Sequence, residues 1–425
     1  MIRWPPAVAR ALVLARAVAL LGASALLPVR GDGQEPPRPA EDGSALEVYV
    51  MTMGQGDLVW ERFGHNALGI RDLRTGEDLV YNWGMFSFDQ PGFLPRFLRG
   101  EMLYWMAPFD AALTVQAYRQ MDRSVTIQEL NLTPAQKLQI RDYVLWNARD
   151  ENKFYRYDYY LDNCSTRVRD VLDRALGGAI ERASAPQVTT MSFRDHSLRL
   201  MDGMFWARTG IDLGLGRPTD RPITAWEAMF IPMEVQRRLR DVRVTGAGGA
   251  EIPLVASERE LFVASRPAER MTAANDVPLF LLAGVSLGAL FGWAAWRSRG
   301  RALATTVTVL WGTVAGVLGT LLLLLWVATA HVAAHQNQNL LFMHPLWLAV
   351  AATIPFVAAG RTVRRNVLFL VRVCAVLTVV GALLALTPWG QPSGAIAAFA
   401  VPMNLSVYFL TLRAVYLAQQ RANAT

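Results

Sequence analysis

Asp162-Asn163-Cys164-Ser165-Thr166-Arg167-Val168-Arg169-Asp170 is the stretch from which the rest of the chain can be read. Past Cys164 the apolar residues Val168, Val171, Leu172, Ala175 and Leu176 keep the spacing of one helix face, and Gly177-Gly178 ends the run. A helix that opens at the cysteine, capped by Asp162 or Asn163, sets the thiol against free backbone N–H groups and the positive end of the helix dipole. Both favour the thiolate and draw a cysteine pKa down from about 8.5 into the range where it attacks carbonyl carbon. The same N–H groups suit a tetrahedral oxyanion. The alternative for an isolated cysteine is a small buried hydrophobe. The other cysteine, Cys374, lies inside an apolar run, which leaves Cys164 without a disulfide partner in its own region.

Upstream, residues 46–52 alternate as a strand, residues 53–57 are broken by glycine, and residues 63–70 read as a second strand. Residues 71–77, with Thr75-Gly76, form a turn, and residues 78–83 a third strand. A hairpin on that turn brings Asn82 across from His65, a pairing that a slip of one residue would undo. A histidine at a strand start, a polar residue on the next strand and a helix-opening cysteine make a papain-type set of base, orienter and nucleophile, here in the order His then Cys. Asp72, in the turn, is the alternative orienter. His196, within Ser192-Phe193-Arg194-Asp195-His196-Ser197, is the second candidate base and reads as a helix cap or a solvent-facing residue. Thr133-Pro134 starts a helix to about Arg149, and an aromatic connector over 154–160 leads to Cys164. The capping box Thr224-Ala225-Trp226-Glu227 opens a helix to about Arg240, and residues 241–270 suggest a small hairpin near the membrane.

Apolar residues crowd into the last third of the 425 residues, in runs at about 277–296, 302–330, 345–360, 366–386 and 395–415. Most reach the roughly 20 residues that a bilayer-crossing helix needs; the third is short. Arg297-Ser298-Arg299-Gly300-Arg301, then Arg361 with Arg364 and Arg365, then Arg413 and Arg421 fall on one side of these runs. The alternate loops, 331–344 and 387–394, hold no Lys or Arg, so the positive-inside rule sets them outside with residues 31–276. Arg372, a turn or two into the fourth run, reads as a snorkelling side chain. In residues 1–30, Arg3, Arg10 and Arg16 precede a short apolar stretch and small residues, as in a signal peptide; an uncleaved anchor is the alternative. Residues 31–44 are a Pro- and Gly-rich linker, 45–276 the extracytoplasmic domain, 277–415 the membrane domain and 416–425 a cytoplasmic tail. The formal charge of +7 is dispersed, which speaks against nucleic acid. Loop 331–344 presses His331, His335, Asn337 and Asn339 between apolar helices, as a hydrated turn or as a substrate site. No carboxylate or thiolate completes a metal set with the two histidines, and neither metal nor cofactor is expected.

Several longer motifs strengthen this reading: Glu61-Arg62-Phe63-Gly64-His65-Asn66-Ala67-Leu68, Tyr81-Asn82-Trp83-Gly84, Phe97-Leu98-Arg99-Gly100, the nine residues around Cys164, and the loop from His335 to Leu340. In these the chain resembles the Lnb family of bacterial lipoprotein N-acylating transferases, nearly end to end. The resemblance implies an α+β, NlpC/P60-like domain with a circularly permuted papain-like fold, similar to lecithin:retinol acyltransferase-type enzymes. An all-α domain of five transmembrane helices follows it. It further implies Cys164 as nucleophile and His65 as base, with Asn82 as third member, at the periplasmic face of the bacterial inner membrane. Arg167, one turn into the cysteine helix, either holds a lipid phosphate or pairs with Asp162 or Asp170. The expected reaction moves an acyl chain from membrane phospholipid, through a Cys164 thioester, to the N-terminal amine of a lipidated lipoprotein; His335, Asn337 and Asn339 are expected to floor that site. A cysteine hydrolase acting on lipid or cell-wall peptide uses the same residues with water as acceptor. A non-enzymatic membrane scaffold keeps the fold without the reaction.

Overall fold

A computed structural model describes residues 43–246, 249–297, 301–359 and 364–422. The expected signal segment 1–30, the linker up to residue 42, and Arg299 and Arg361 lie outside the described residues. Seven antiparallel strands form the main sheet: β1 (Leu46–Met53), β2 (His65–Asp72), β3 (Asp78–Met85), β4 (Leu103–Asp110), β5 (Val125–Leu130), β6 (Phe154–Arg156) and β7 (Val255–Phe262). Their order is β7-β5-β1-β2-β3-β4-β6. The helices that bear on it are α1 (Phe93–Arg99), α2 (Ala111–Gln120), α3 (Pro134–Asn147) and α4 (Cys164–Ala175).

Period-two alternation in β1 gives the sheet two cores. Leu46, Val48 and Val50 face one way and join Leu68, Ile70 and Trp83 beneath α3 and α4. Tyr49, Met51 and Met53 face the other way, with Ala67, Val80 and Ala111, the first residue of α2. On α4, Val168, Val171 and Leu172 are buried, each stabilising by roughly 2 kcal/mol. That burial fixes the helix on the sheet and so fixes its first residue. α3 starts at Pro134 behind a Thr133/Gln136 capping box, as its sequence predicts.

Two scaffold expectations are corrected. The Thr224/Glu227 capping box does open a helix, but it stops at Ala228, and a second one, Pro232–Leu239, begins at the proline. Proline has no N–H for a helix interior and suits a first turn, which divides the expected single helix. Within 241–270, Arg243–Thr245 does pair with Glu251–Pro253, while β7 instead extends the main sheet beside β5. Its charged stretch Ser257-Glu258-Arg259-Glu260 hides the strand in the sequence and protects a sheet edge.

Among the described residues, five helices are long and apolar enough to cross a membrane. Calling the helices of residues 193–200, 205–214 and 232–239 α5, α6 and α7, the spans are α8 (Val277–Arg297), α9 (Arg301–Val327), α10 (Leu346–Ala358), α11 (Arg364–Leu384) and α12 (Gly394–Ala422). α12 runs on past residue 415, so the segment read as the start of a tail is helical. α10 has only 13 residues. The span is completed by the preceding loop, whose Asn339, Leu340, Phe342 and Met343 are buried inside the bundle. Irregular backbone at that depth needs protein partners. Asn404 of α12 donates to the Phe342 carbonyl (2.9 Å) and accepts from the Trp311 indole (2.8 Å).

Candidate active site

The site begins with Asn163. Its side-chain oxygen accepts the N–H groups of Ser165 (2.8 Å) and Thr166 (3.0 Å), and the Thr166 hydroxyl accepts the Asn163 N–H (2.8 Å). The amide nitrogen donates to the carbonyls of Tyr159 and Phe230, both at 2.9 Å. Asn163, rather than Asp162, is thus the helix cap. It also occupies two of the first-turn N–H groups that the sequence offers to an oxyanion. The Cys164 N–H is left without an acceptor among the described residues.

His65 opens β2 directly after Gly64, whose φ of +82° an L side chain rarely adopts; a Cβ there would stand 2.8 Å from the Met53 carbonyl oxygen. The β2–β3 ladder runs from Arg71↔Asp78 to Leu68↔Tyr81. Continued, this register sets Asn82 opposite Ala67, so Asn82 meets His65 as a diagonal neighbour instead of directly across. The contact is nonetheless made, with His65 Nε2 at 3.1 Å from Asn82 Oδ1. Asn82 is buried and its Nδ2 donates to the Val80 carbonyl (3.0 Å), which turns Oδ1 toward the imidazole. With Nε2–H donating to Asn82, Nδ1 is the nitrogen available to the thiol. Beyond Asn82 the β3–β4 register breaks, and Gly84, at φ +92°, admits the cysteine: a Cβ on Gly84 would lie 3.6 Å from that of Cys164.

Burial by itself pushes the Cys164 thiol up. The charge of His65 beside it, the His65 hydrogen bond, the Asn66 backbone N–H and the Ser165 hydroxyl outweigh burial and bring it down to about 7. Tyr155 lies next to this group, its hydroxyl 3.9 Å from the same point on Gly84. The hydroxyl is buried with no hydrogen-bond partner, and burial holds it protonated, well above its usual range. A thiol near neutrality, an imidazole oriented by an amide, and two uncommitted donors (Cys164 N–H and Tyr155 O–H) are the parts that nucleophilic attack on an ester or amide carbonyl requires.

The other sequence candidates are not gathered there. Asp72 closes the far end of β2 and is held by Arg74 (2.7 Å), a strand's length from His65. Arg167 donates to both carboxylate oxygens of Asp162 from one guanidinium edge, Nε and Nη2, the latter at 2.6 Å, and lies over the Tyr155 ring at 4.2 Å, which fits the ion-pair alternative. His196 is buried on α5, where it neither caps nor faces solvent. It accepts a hydrogen bond from Arg199 (3.1 Å), and burial, then the charges of Arg199 and Arg237, push it down to about 3. The cap of α5 is Ser192, paired with Asp195.

Loop 331–344 acts as a fastener. Asn337 Nδ2 donates to the carbonyls of Leu213 (2.8 Å) and Gly214 (3.0 Å), and Asn339 Nδ2 to Leu213 (3.0 Å), closing the C-terminal end of α6. Both asparagines are buried, and of the two sequence alternatives this is the turn whose amides satisfy a helix end. His335 bonds the Thr329 carbonyl (3.1 Å) in its own loop. His331 is the loop residue that reaches toward the site: its ring stacks on Tyr159 at 6.2 Å. Tyr159 packs edge-on to Tyr157, Tyr157 stacks on Tyr104 at 4.3 Å, and Tyr104 on Phe86 at 5.1 Å. This aromatic wall escaped the sequence reading, although Tyr155, Tyr157 and Tyr159 recur at a strand period within the connector.

A half-buried cysteine beside a histidine and an asparagine, on an α+β domain that precedes five apolar helices, defines a membrane protein with a cysteine-bearing domain ahead of its spans. Residues 38–195 match the family model described as the Lnb N-terminal periplasmic domain, and residues 277–420 match the Lnb transmembrane domain. The chain belongs to the Lnb family, which supports a lipoprotein-processing membrane protein with a periplasmic N-terminal domain. No curated protein and no solved structure matches it.

Proposed function

We propose that the protein is a cysteine acyltransferase that N-acylates lipoproteins in the bacterial inner membrane. Cys164 transfers its proton to His65 and attacks an ester carbonyl of a membrane phospholipid; the C–O bond breaks, and His65 returns the proton to the leaving lysophospholipid oxygen. The free amine of a lipidated N-terminal cysteine then attacks the thioester, its proton goes to His65, the C–S bond breaks and the thiol is restored. Asn82 holds the imidazole, and the Cys164 N–H and Tyr155 hydroxyl receive the oxyanion. The observation that carries this reading is the aromatic wall, which leads from a thiol with a pKa of about 7 to the transmembrane loop at His331. An enzyme for soluble peptides has no use for such a path.

Arg413, bonded to the Trp296 carbonyl, and Arg364 lie at the end of the bundle opposite the loops that hold the periplasmic domain. Under the positive-inside rule that end, and the C-terminus, is cytoplasmic. The test is incubation of the full chain in phospholipid nanodiscs with a diacylated lipopeptide. The peptide gains one acyl mass and a hydroxylamine-sensitive acyl group appears on Cys164; Cys164→Ser loses both. Near-native turnover by Cys164→Ser refutes the covalent route.

A further inference from the structure

The sequence of α1, Phe93-Leu94-Pro95-Arg96-Phe97-Leu98-Arg99, has two arginines, no acid and an apolar face that the domain does not cover. Leu94 and Leu98, one turn apart, are 62% and 59% exposed. The surface continues: Phe88, 62% exposed, packs against Phe93 at 5.1 Å, and Trp60, 53% exposed, packs against Phe88 at 6.3 Å. A patch of this kind marks an interaction site.

Its occupant follows from where the helix is tied. The Arg99 carbonyl accepts the N–H of Ala330 (2.7 Å), and the Phe97 carbonyl bonds His331 Nε2 (2.9 Å). The Arg96 and Phe97 carbonyls are also capped by the Gly100 and Glu101 N–H groups, so the segment just past α9, which ends at Val327, supplies the donor for Arg99 and a second contact for Phe97. Three residues extend at most about 10 Å, so α1 lies at the depth where a membrane span emerges. Exposed Leu, Phe and Trp with flanking Arg at that depth are the composition of an interfacial helix, the arginines reaching lipid phosphates.

We propose that α1, with Trp60 and Phe88, is immersed in the outer leaflet of the phospholipid bilayer and forms the lip over which an acyl chain reaches Cys164. From this lip Phe93 stacks toward Phe86, Phe86 on Tyr104 and Tyr104 on Tyr157, which stands beside Cys164. The route rests on Cys164 being the acyl acceptor; the immersion does not.

The test uses the full chain in phosphatidylcholine nanodiscs, with an environment-sensitive fluorophore on Leu94→Cys or Leu98→Cys in a Cys164→Ser background. Cys374 is 1% exposed and stays unlabelled. Asp150→Cys, on an open turn, is the control. Positions 94 and 98 should be quenched by brominated lipid and be roughly fivefold less sensitive to aqueous iodide than position 150. Equal iodide sensitivity at all three, with no quenching by bromolipid, overturns the immersion. In the otherwise native chain, Leu94→Glu/Leu98→Glu should lower acyl loading of Cys164 from vesicle phospholipid at least about tenfold, while reaction with a small soluble thiol reagent stays within about twofold. Unchanged loading overturns the route. A wild-type chain that never acquires an acyl group refutes the acyltransferase reading instead, and leaves the quenching to decide the immersion.

Discussion

Replacing His65 by alanine isolates what the imidazole contributes to the nucleophile. In the native chain the thiol stands at about 7, so roughly half is thiolate at neutral pH. Without His65 the two largest lowering influences vanish while burial remains, and the pKa moves up toward its ordinary 9.0. The thiolate fraction at pH 7 then falls about 50-fold. A more basic thiolate is also more nucleophilic, by about 6- to 10-fold over two units at a Brønsted slope of 0.4–0.5. The net loss expected at pH 7 is therefore about 5- to 10-fold. At pH 10, where both thiols are mostly ionised, the variant should react faster than the native protein. Rates with dipyridyl disulfide, followed by released thiopyridone across pH 5–10 in nanodiscs, give the two profiles. A His65→Ala profile that keeps its midpoint near 7, or curves that never cross, would mean that the imidazole does not set the thiol's acidity.

Two further expectations concern the scaffold. Asn337→Ala strands the Gly214 carbonyl, while Leu213 keeps the Asn339 amide, at a cost of about 1–3 kcal/mol, and should lower the melting temperature of the detergent-solubilised chain without moving the Cys164 pH profile; an unchanged melting temperature with selective loss of turnover would favour a substrate role for Asn337. His196, about 3 when folded and about 6.5 when unfolded, takes up its proton first in the unfolded chain. Its contribution is therefore complete above pH 6.5 and is lost between 6.5 and 3, at about 1.4 kcal/mol per unit. Urea unfolding at several pH values should show that slope, and His196→Gln should flatten it; equal slopes in the two proteins would refute the assignment.

Cys164 at the head of its helix and His65 at the head of its strand are legible in the sequence because each depends on local rules: a cap, a helical period, a glycine before a strand. His196 is misread, and the loop asparagines stay open between two readings, for one shared reason. A polar side chain that completes a distant backbone looks, in sequence, the same as one awaiting a ligand. The carbonyls of Leu213 and Gly214 need donors only because α6 ends where loop 331–344 arrives, more than a hundred residues later. Around His196, Ser192 and Asp195 are consumed by a cap, and Arg194 by Asp212 (2.9 Å) and Asp220 (2.7 Å), so a stretch rich in polar residues folds inward. The diagonal meeting of Asn82 with His65 is likewise beyond a pairing rule, since the β2–β3 ladder stops at Leu68↔Tyr81, short of both residues.

The four-way engagement of Asn163 bears on how relatives of this chain are recognised. Its amide presents an acceptor to two N–H groups and a donor nitrogen to two carbonyls, so every polar atom is used by backbone with fixed positions. Aspartate has nearly the same shape, yet it would turn a negative charge on the Tyr159 and Phe230 carbonyls; serine is too short to span both sets. The position before the nucleophile thus has almost as little chemical freedom as the nucleophile itself. In a diverged chain, a cysteine without this asparagine points to a helix that begins in another place, and with it to a thiol held elsewhere.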